Sequence, residues 1–85
     1  MRKTHELKIH PKYYKQVLNK QKTFEIRNND RDFKEGDEVE LKEFADGHYT
    51  HAKSLYATIG YVTDFEQKPG FVVFSLLNLD RNDNY

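Results

Sequence analysis

Three charged residues, Lys22, Glu25 and Arg27, lie within one short segment of the sequence. Side chains two residues apart on a strand point to the same side, so Glu25 and Arg27 are expected to share a face. A guanidinium can bind phosphate through two hydrogen bonds, and an ammonium attracts it as a point charge. A neighbouring carboxylate can accept hydrogen bonds from the amino edge of cytosine. These residue types allow a site for RNA or a nucleotide, but the residues alone favour the plainer interpretation of an exposed ion pair on a polar strand face.

The same residues also allow a hydrolytic interpretation. A buried Glu25 could act as a general base, with Lys22 as its electrostatic partner and without a metal ion. Under this hypothesis Lys22 and Glu25 are the candidate catalytic residues.

Four further residues are candidates for ligand contact. Arg31 belongs to a polar loop predicted at residues 28–34, directly after the charged segment. Phe65 lies in a second predicted loop, where it either stacks on an unpaired base or closes the end of the core. Tyr13 is expected on a helix surface, and Lys20 adds a cation just before Lys22.

Metal ions and cofactors are not expected. The chain has no cysteine, which excludes disulfides and thiolate zinc sites. His48 and His51 form an H-x-x-H pattern, but a structural zinc site needs four ligands. Alternation along a hairpin strand would also place these two histidines on opposite faces.

Charge is distributed unevenly along a chain whose net charge is zero. Residues 1–27 contain eight Lys or Arg and two acids, a balance of +6, and residues 28–85 carry the opposite balance of −6. Such a chain can present one basic face, for which phosphate is the natural partner. The alternative is that folding intersperses the two groups of charges.

The length of 85 residues fits a single domain, 1–85, with a core at about 4–79 and a tail at 80–85. No apolar run approaches the roughly 20 residues of a membrane-spanning helix. The N-terminus has basic residues but no apolar signal region. We therefore expect a cytoplasmic protein without a membrane partner.

Alternation of apolar and polar residues predicts a mainly β fold. Strands are expected at residues 4–9, 23–27, 38–44, 54–63 and 71–79. Leu55, Ala57, Ile59 and Tyr61 should share one face, and Asp46-Gly47 is typical of a hairpin turn.

One helix is predicted near the N-terminus, beginning at Pro11 and ending at Asn19 in a left-handed conformation. Together with about five or six short strands, it indicates an α+β fold built as a small, partly closed β-barrel.

The charged segment resembles a motif of ASCH domains, a branch of the PUA-like RNA-binding barrels. Their G-x-K-x-x-E-x-R pattern lies at the end of the first helix and in the following strand. Here Lys22, Glu25 and Arg27 have that spacing, and Lys20 replaces the glycine. The segments THELKI, KTFEIRNNDRDFKEGD and VTDFEQKPGFVVF resemble an uncharacterised small bacterial and phage family of the ASCH group. The resemblance covers roughly residues 4–79 and implies a PUA/ASCH-like barrel with a cleft beside the helix.

Three functions remain open at this level. An RNA- or nucleotide-binding module is the main hypothesis. Some ASCH relatives are amidohydrolases acting on acylated cytidine, and others have been described as ribonucleases, so a small metal-free hydrolase is the second. The amidohydrolases have a threonine at the position of Glu25, and their chemistry does not transfer intact. The third is a protein-interaction domain, in which the acidic strand at residues 38–43 would face a basic partner.

Overall fold

The computed structural model describes residues 2–80, which form six strands and one helix. In chain order these elements are β1 (Thr4–Ile9), α1 (Pro11–Leu18), β2 (Phe24–Asn28), β3 (Glu38–Ala45), β4 (His48–Tyr49), β5 (Leu55–Thr63) and β6 (Phe71–Asp80). The first residue of the predicted tail, Asp80, ends β6, and residues 81–85 lie outside the described residues.

The strands form one sheet that is not closed, in the order β1-β3-β5-β6-β2, with the short β4 paired to β3. Strands β1 and β3 are parallel, and the other neighbours are antiparallel. This confirms a small, mainly β fold with one N-terminal helix. The parallel pair was not predicted; it arises because α1 and β2 separate β1 from β3 along the chain. As a result, β1 and β2 are the two edges of the sheet.

The core lies on one side of the sheet, because burial alternates from residue to residue along the strands. Leu7 and Ile9 of β1 are buried, as predicted, and Val17 is the buried residue of α1. Phe33 is also buried although it lies in the loop predicted to be polar, because its ring packs 5.0 Å from that of Phe74. Val39, Leu41, Leu55, Ile59 and Phe74 complete the most deeply buried set.

The helix begins at Pro11 as predicted, and the side chain of His10 caps it by accepting a 3.1 Å hydrogen bond from Lys12 N. Its predicted left-handed end at Asn19 is wrong, because Asn19 has φ −87° while Lys20 has φ 63°. The amides of Lys20 and Gln21 turn back to carbonyls of the last helical turn at 3.0 and 2.8 Å. This is a Schellman ending, which normally takes glycine at the position of Lys20.

The face predicted for β5 is correct for Leu55, Ala57 and Ile59 but wrong for Tyr61, whose side chain is 70% exposed. The pairing of β5 with β6 shifts between Ile59 and Val62, and this bulge turns Tyr61 outward. Gly60 permits the bulge, since a Cβ there would clash with Oγ of Ser75 on β6.

A buried polar pair joins β1 to the start of β3. The Nε2 atom of His5 lies 2.9 Å from Oδ2 of Asp37, and both residues are buried. The Asp37 carboxylate also accepts hydrogen bonds from the backbone amides of Lys3 and Lys34, at 3.2 and 3.3 Å. Burial alone would raise the pKa of Asp37, but these hydrogen bonds outweigh it and hold the pKa below its ordinary value.

Asp37→Asn should lower the free energy of unfolding at pH 7 by about 1–3 kcal/mol, because it replaces one buried acceptor oxygen with a donor group. A carboxyl whose pKa is lowered by folding stabilises the protein above its unfolded pKa, and this contribution is lost as pH falls further. The difference between wild type and variant should therefore shrink below about pH 4. Urea unfolding at pH 7 and pH 3 measures this difference in the free energy of unfolding. Asp46→Asn, in the exposed hairpin turn, is the control. A difference that is the same at both pH values would contradict the assignment.

Candidate functional site

A cleft of about 760 Å³ opens between the end of β1, the helix α1 and the strand β2. Its lining residues all lie between Lys8 and Arg27, within the basic N-terminal part of the sequence. Three of them are Lys or Arg, and Glu25 is the one carboxylate among the described residues that line it. The segment with the excess of positive charge therefore surrounds this cleft.

Strand β2 exposes its apolar side chains and buries its carboxylate. Glu25 is 4% exposed, whereas Phe24 and Ile26 are 41% and 51% exposed. Glu25 is paired in register with Phe74 of β6, so both side chains point to the inner side of the sheet. The interpretation of an exposed Glu–Arg pair is therefore wrong for the glutamate, and the buried carboxylate needs charged partners.

Lys22 and Arg27 supply those partners. Lys22 Nζ lies 2.6 Å from Oε2 of Glu25, and Arg27 Nε lies 2.9 Å from Oε1. The lysine and arginine side chains are 15% and 25% exposed, compared with 5% for Glu25. Two cations on one carboxylate leave this cluster with a net charge of +1. We call Lys22, Glu25 and Arg27 the charge cluster.

Backbone contacts hold both cations in place. Lys22 Nζ donates a second hydrogen bond, of 2.8 Å, to the carbonyl of Phe24. Arg27 Nη2 reaches across the open edge of the sheet and donates to the carbonyl of Lys8 at 2.8 Å. The charge cluster thus links β2 to β1, and its cations are fixed before any ligand arrives.

Aromatic rings flank the ammonium group of Lys22. Its Nζ atom lies 5.4 Å from the ring centre of Tyr13 and 5.1 Å from that of Phe24, within range of cation–π attraction. Tyr13 is 44% exposed, so its ring is accessible at the mouth of the cleft. A ligand that approaches the cations therefore meets aromatic surface as well.

Comparison with known proteins gives a family. Residues 4–76 match the family described as "Domain of unknown function (DUF3850)". The chain belongs to the DUF3850 family. It is also 42% identical, over 64 residues, to the "Uncharacterized 12.9 kDa protein in GpA 3'region" of Escherichia phage P2. That alignment covers 75% of this chain and 58% of the phage protein, so the chain spans less than two thirds of its relative.

The sequence analysis predicted that the chain belongs to a small uncharacterised family found in bacteria and phages. The DUF3850 match and the similar phage protein are consistent with that prediction. The assignment to ASCH or PUA-like domains, the single-domain boundaries and the cytoplasmic location stay predictions.

The DUF3850 cleft brings together Tyr13, Lys22, Glu25 and Arg27 of the predicted site residues. Arg31 lies beyond Arg27, in a smaller depression, where its Nη1 donates to the carbonyl of Glu6. Lys20 lies on the other side of the charge cluster, in a second cavity.

Phe65 is remote from these residues. It is 76% exposed in the loop between β5 and β6, so it does not close the core, and it lines none of the three cavities described. Its predicted contact with a base stays a prediction.

Sequence reasoning missed several residues of the DUF3850 cleft. Lys8, His10, Gln16 and Gln21 line it beside the predicted residues. Alternation along β1 indicated that the side chain of Lys8 points away from Leu7 and Ile9. No feature of the neighbouring sequence indicated that β1 would lie opposite β2. Its role in the cleft depends on the order of strands in the sheet.

The part of the chain described by the structure contains no group of three His, Cys, Asp or Glu residues placed to hold a metal ion. His48 lies in β4, and His51 follows that strand with a left-handed backbone at φ 71°. Among residues 2–80, no helix is long and apolar enough to cross a bilayer.

Glu25→Gln should lower the free energy of unfolding of the DUF3850 fold by about 2–4 kcal/mol. This loss is somewhat smaller than the loss from breaking a fully buried ion pair, because both cations retain some exposure. The amide keeps the size of the side chain but presents an NH₂ group to one of the two cations. Urea unfolding at pH 7 measures the change, and Arg2→Ala, which removes the exposed 3.8 Å contact with Glu38, is the control. An unchanged unfolding midpoint in Glu25→Gln would show that the charge cluster does not stabilise the fold.

Proposed function

We propose that this chain binds RNA or a nucleotide in the cleft between β1, α1 and β2, and that it is a binding module. The observation that carries the proposal is a pair of cations held on a buried carboxylate, with accessible aromatic rings beside them. The volume of about 760 Å³ lies within the roughly 300–1,000 Å³ typical of small-molecule sites.

Phosphate binding is assigned to Lys22 and Arg27. Glu25 accepts one hydrogen bond from each cation and orients it. Each cation keeps a further N–H donor with which it can bind phosphate. Arg27 uses Nε and Nη2 within the protein, and its Nη1 group has no hydrogen-bond partner among residues 2–80. A cation that is already ordered loses less side-chain entropy when a phosphate binds. Lys8 also lines the cleft, and its ammonium group lies 4.5 Å from the ring centre of Phe44 on β3.

Base binding is assigned to the rim of the cleft. Tyr13 and Phe24 expose about two fifths of their surfaces, and exposed aromatic rings provide stacking surfaces for unpaired bases. Gln16 and Gln21, which also line the cleft, carry both hydrogen-bond donors and acceptors and can contact base edges. Affinity would come mainly from phosphate contacts, and selection from the base.

A hydrolase is a weaker interpretation of the same cleft, even though Glu25 is buried near Lys22. A general base needs an oxygen placed to accept a proton from the substrate. Both oxygens of Glu25 already accept charge-assisted hydrogen bonds, from Lys22 and from Arg27. Glu25 is therefore assigned a positioning role.

A protein-interaction role for the acidic strand β3 is also less well supported. Glu38 lies near Arg2, Glu40 accepts hydrogen bonds from Ser54 and Tyr56, and Glu43 accepts one from Thr50. These carboxylates are engaged within the fold.

The proposal is tested by titrating the protein with a single-stranded RNA hexamer of mixed sequence, the matching DNA and the four nucleoside monophosphates. Each titration is made at 50 and 200 mM salt, so that phosphate contacts appear as a loss of affinity at the higher concentration. We expect salt-sensitive binding that the variant Lys22→Ala/Glu25→Ala/Arg27→Ala reduces at least tenfold. Removing all three charges together leaves no buried carboxylate without a partner.

A second variant keeps the test valid if the triple substitution impairs folding. Tyr13→Ala removes an exposed ring at a helical position where alanine is well tolerated, and it should weaken binding about fivefold or more. Its control is Tyr49→Ala, because Tyr49 is similarly exposed at 42% but lies in β4. Failure of the wild type to bind any of these probes would overturn the proposal, as would unchanged affinity in both cleft variants.

A further inference from the structure

A second cavity, of about 350 Å³, lies next to the cleft and shares Lys22 with it. Its polar wall comes from Lys20, Thr23 and Asn78, and its apolar wall from Val17, Leu76 and Leu79. Lys22 lines both spaces, so the two cavities adjoin at this residue. The other cation that lines the second cavity is Lys20.

Lys20 occupies a backbone position that favours glycine. Its φ of 63° lies in the left-handed region, which a residue with a Cβ adopts at an energetic cost. The Schellman ending of α1 would form more easily with glycine there. Lys20 is exposed and forms no ion pair with any residue from 2 to 80, so the contacts of the fold do not account for a lysine at this position.

A second non-glycine residue with a left-handed backbone lines the same cavity. Asn78 has φ 53° near the end of β6. Left-handed non-glycine residues are uncommon, and they concentrate where the surrounding structure holds a side chain for a function. Two of the six such residues in the described chain meet at this one cavity.

We infer that the second cavity is a subsite for the next nucleotide of a single-stranded polynucleotide, with Lys20 bound to its phosphate. The inference rests on the proposed function and narrows it, because it assigns an oligonucleotide as the ligand instead of a single nucleotide. Lys20 and Lys22 are two residues apart, so the two cations can follow successive phosphates along one strand. The apolar wall of Val17, Leu76 and Leu79 suits the flat face of a base or the carbon atoms of a ribose.

Lys20→Gly provides a test in which stability and binding change in opposite directions. Glycine relieves the left-handed backbone, so the urea midpoint should rise. Affinity for the single-stranded RNA hexamer should fall about tenfold, the loss expected for one charge-assisted contact. Affinity for nucleoside monophosphates should stay within twofold of wild type, and the salt dependence of hexamer binding should decrease by about 0.7 in log–log slope.

Two control variants separate strain from charge. Asp46→Gly relieves a comparable left-handed backbone, at φ 53°, in the β3–β4 turn and should raise stability without changing hexamer affinity. Lys68→Ala removes one exposed cation from the β5–β6 loop and should also leave hexamer affinity unchanged.

Two outcomes would overturn the inference and are distinguishable from each other. If Lys20→Gly binds the hexamer as tightly as wild type, while the triple cleft variant does not, the second subsite is wrong and the proposed function stands. If wild type binds neither the hexamer nor any monophosphate, both proposals fail together. A fall in hexamer affinity in Lys20→Gly, with an unchanged monophosphate affinity, would support the subsite.

Discussion

A carboxylate on the inner side of an edge strand constrains the rest of this structure. Burying Glu25 without charged partners would cost several kcal/mol, so the fold must bring cations within hydrogen-bond distance of both its oxygens. Lys22 reaches one oxygen from the segment after α1, and Arg27 reaches the other from β2 itself. The position of the helix end, the path into β2 and the shape of the cleft all depend on this arrangement.

The open edge of the sheet depends on the same arrangement. Strands β1 and β2 lie at opposite ends of the strand order and do not pair, although a side-chain hydrogen bond from Arg27 reaches from β2 to β1. Arg27 and Arg31 donate side-chain hydrogen bonds to the carbonyls of Lys8 and Glu6, which alternate along β1. Side chains thus satisfy backbone acceptors that a further strand would otherwise have paired, and edges covered in this way are less open to pairing with other chains. The gap between the two edges is where the cleft forms.

The excess of positive charge in the sequence and the order of strands coincide at the cleft. The lining of the cleft comes entirely from residues 8–27, inside the segment with a charge balance of +6. The acids that balance this charge lie later in the chain; of those in β3, Glu40 accepts a hydrogen bond from Ser54 and Glu43 accepts one from Thr50. A neutral protein can therefore maintain one positively charged concavity suited to phosphate.

The sequence by itself determined the features that depend on near neighbours. The helix start at Pro11, the hairpin at Asp46-Gly47 and the alternation of β2 follow from local backbone preferences and the two-residue period of strands. The two-residue spacing of Glu25 and Arg27 likewise predicted that both side chains share one face of the strand.

Tertiary structure decided which side of each alternating strand faces inward, because that depends on partners distant in sequence. Pairing with β6 turned Glu25 inward and left Phe24 exposed, and a bulge at Gly60 turned Tyr61 outward. The position of β1 opposite β2 brought Lys8 to the cleft. Periodicity specifies two faces for a strand but not which one is buried; the order and register of the neighbouring strands make that choice.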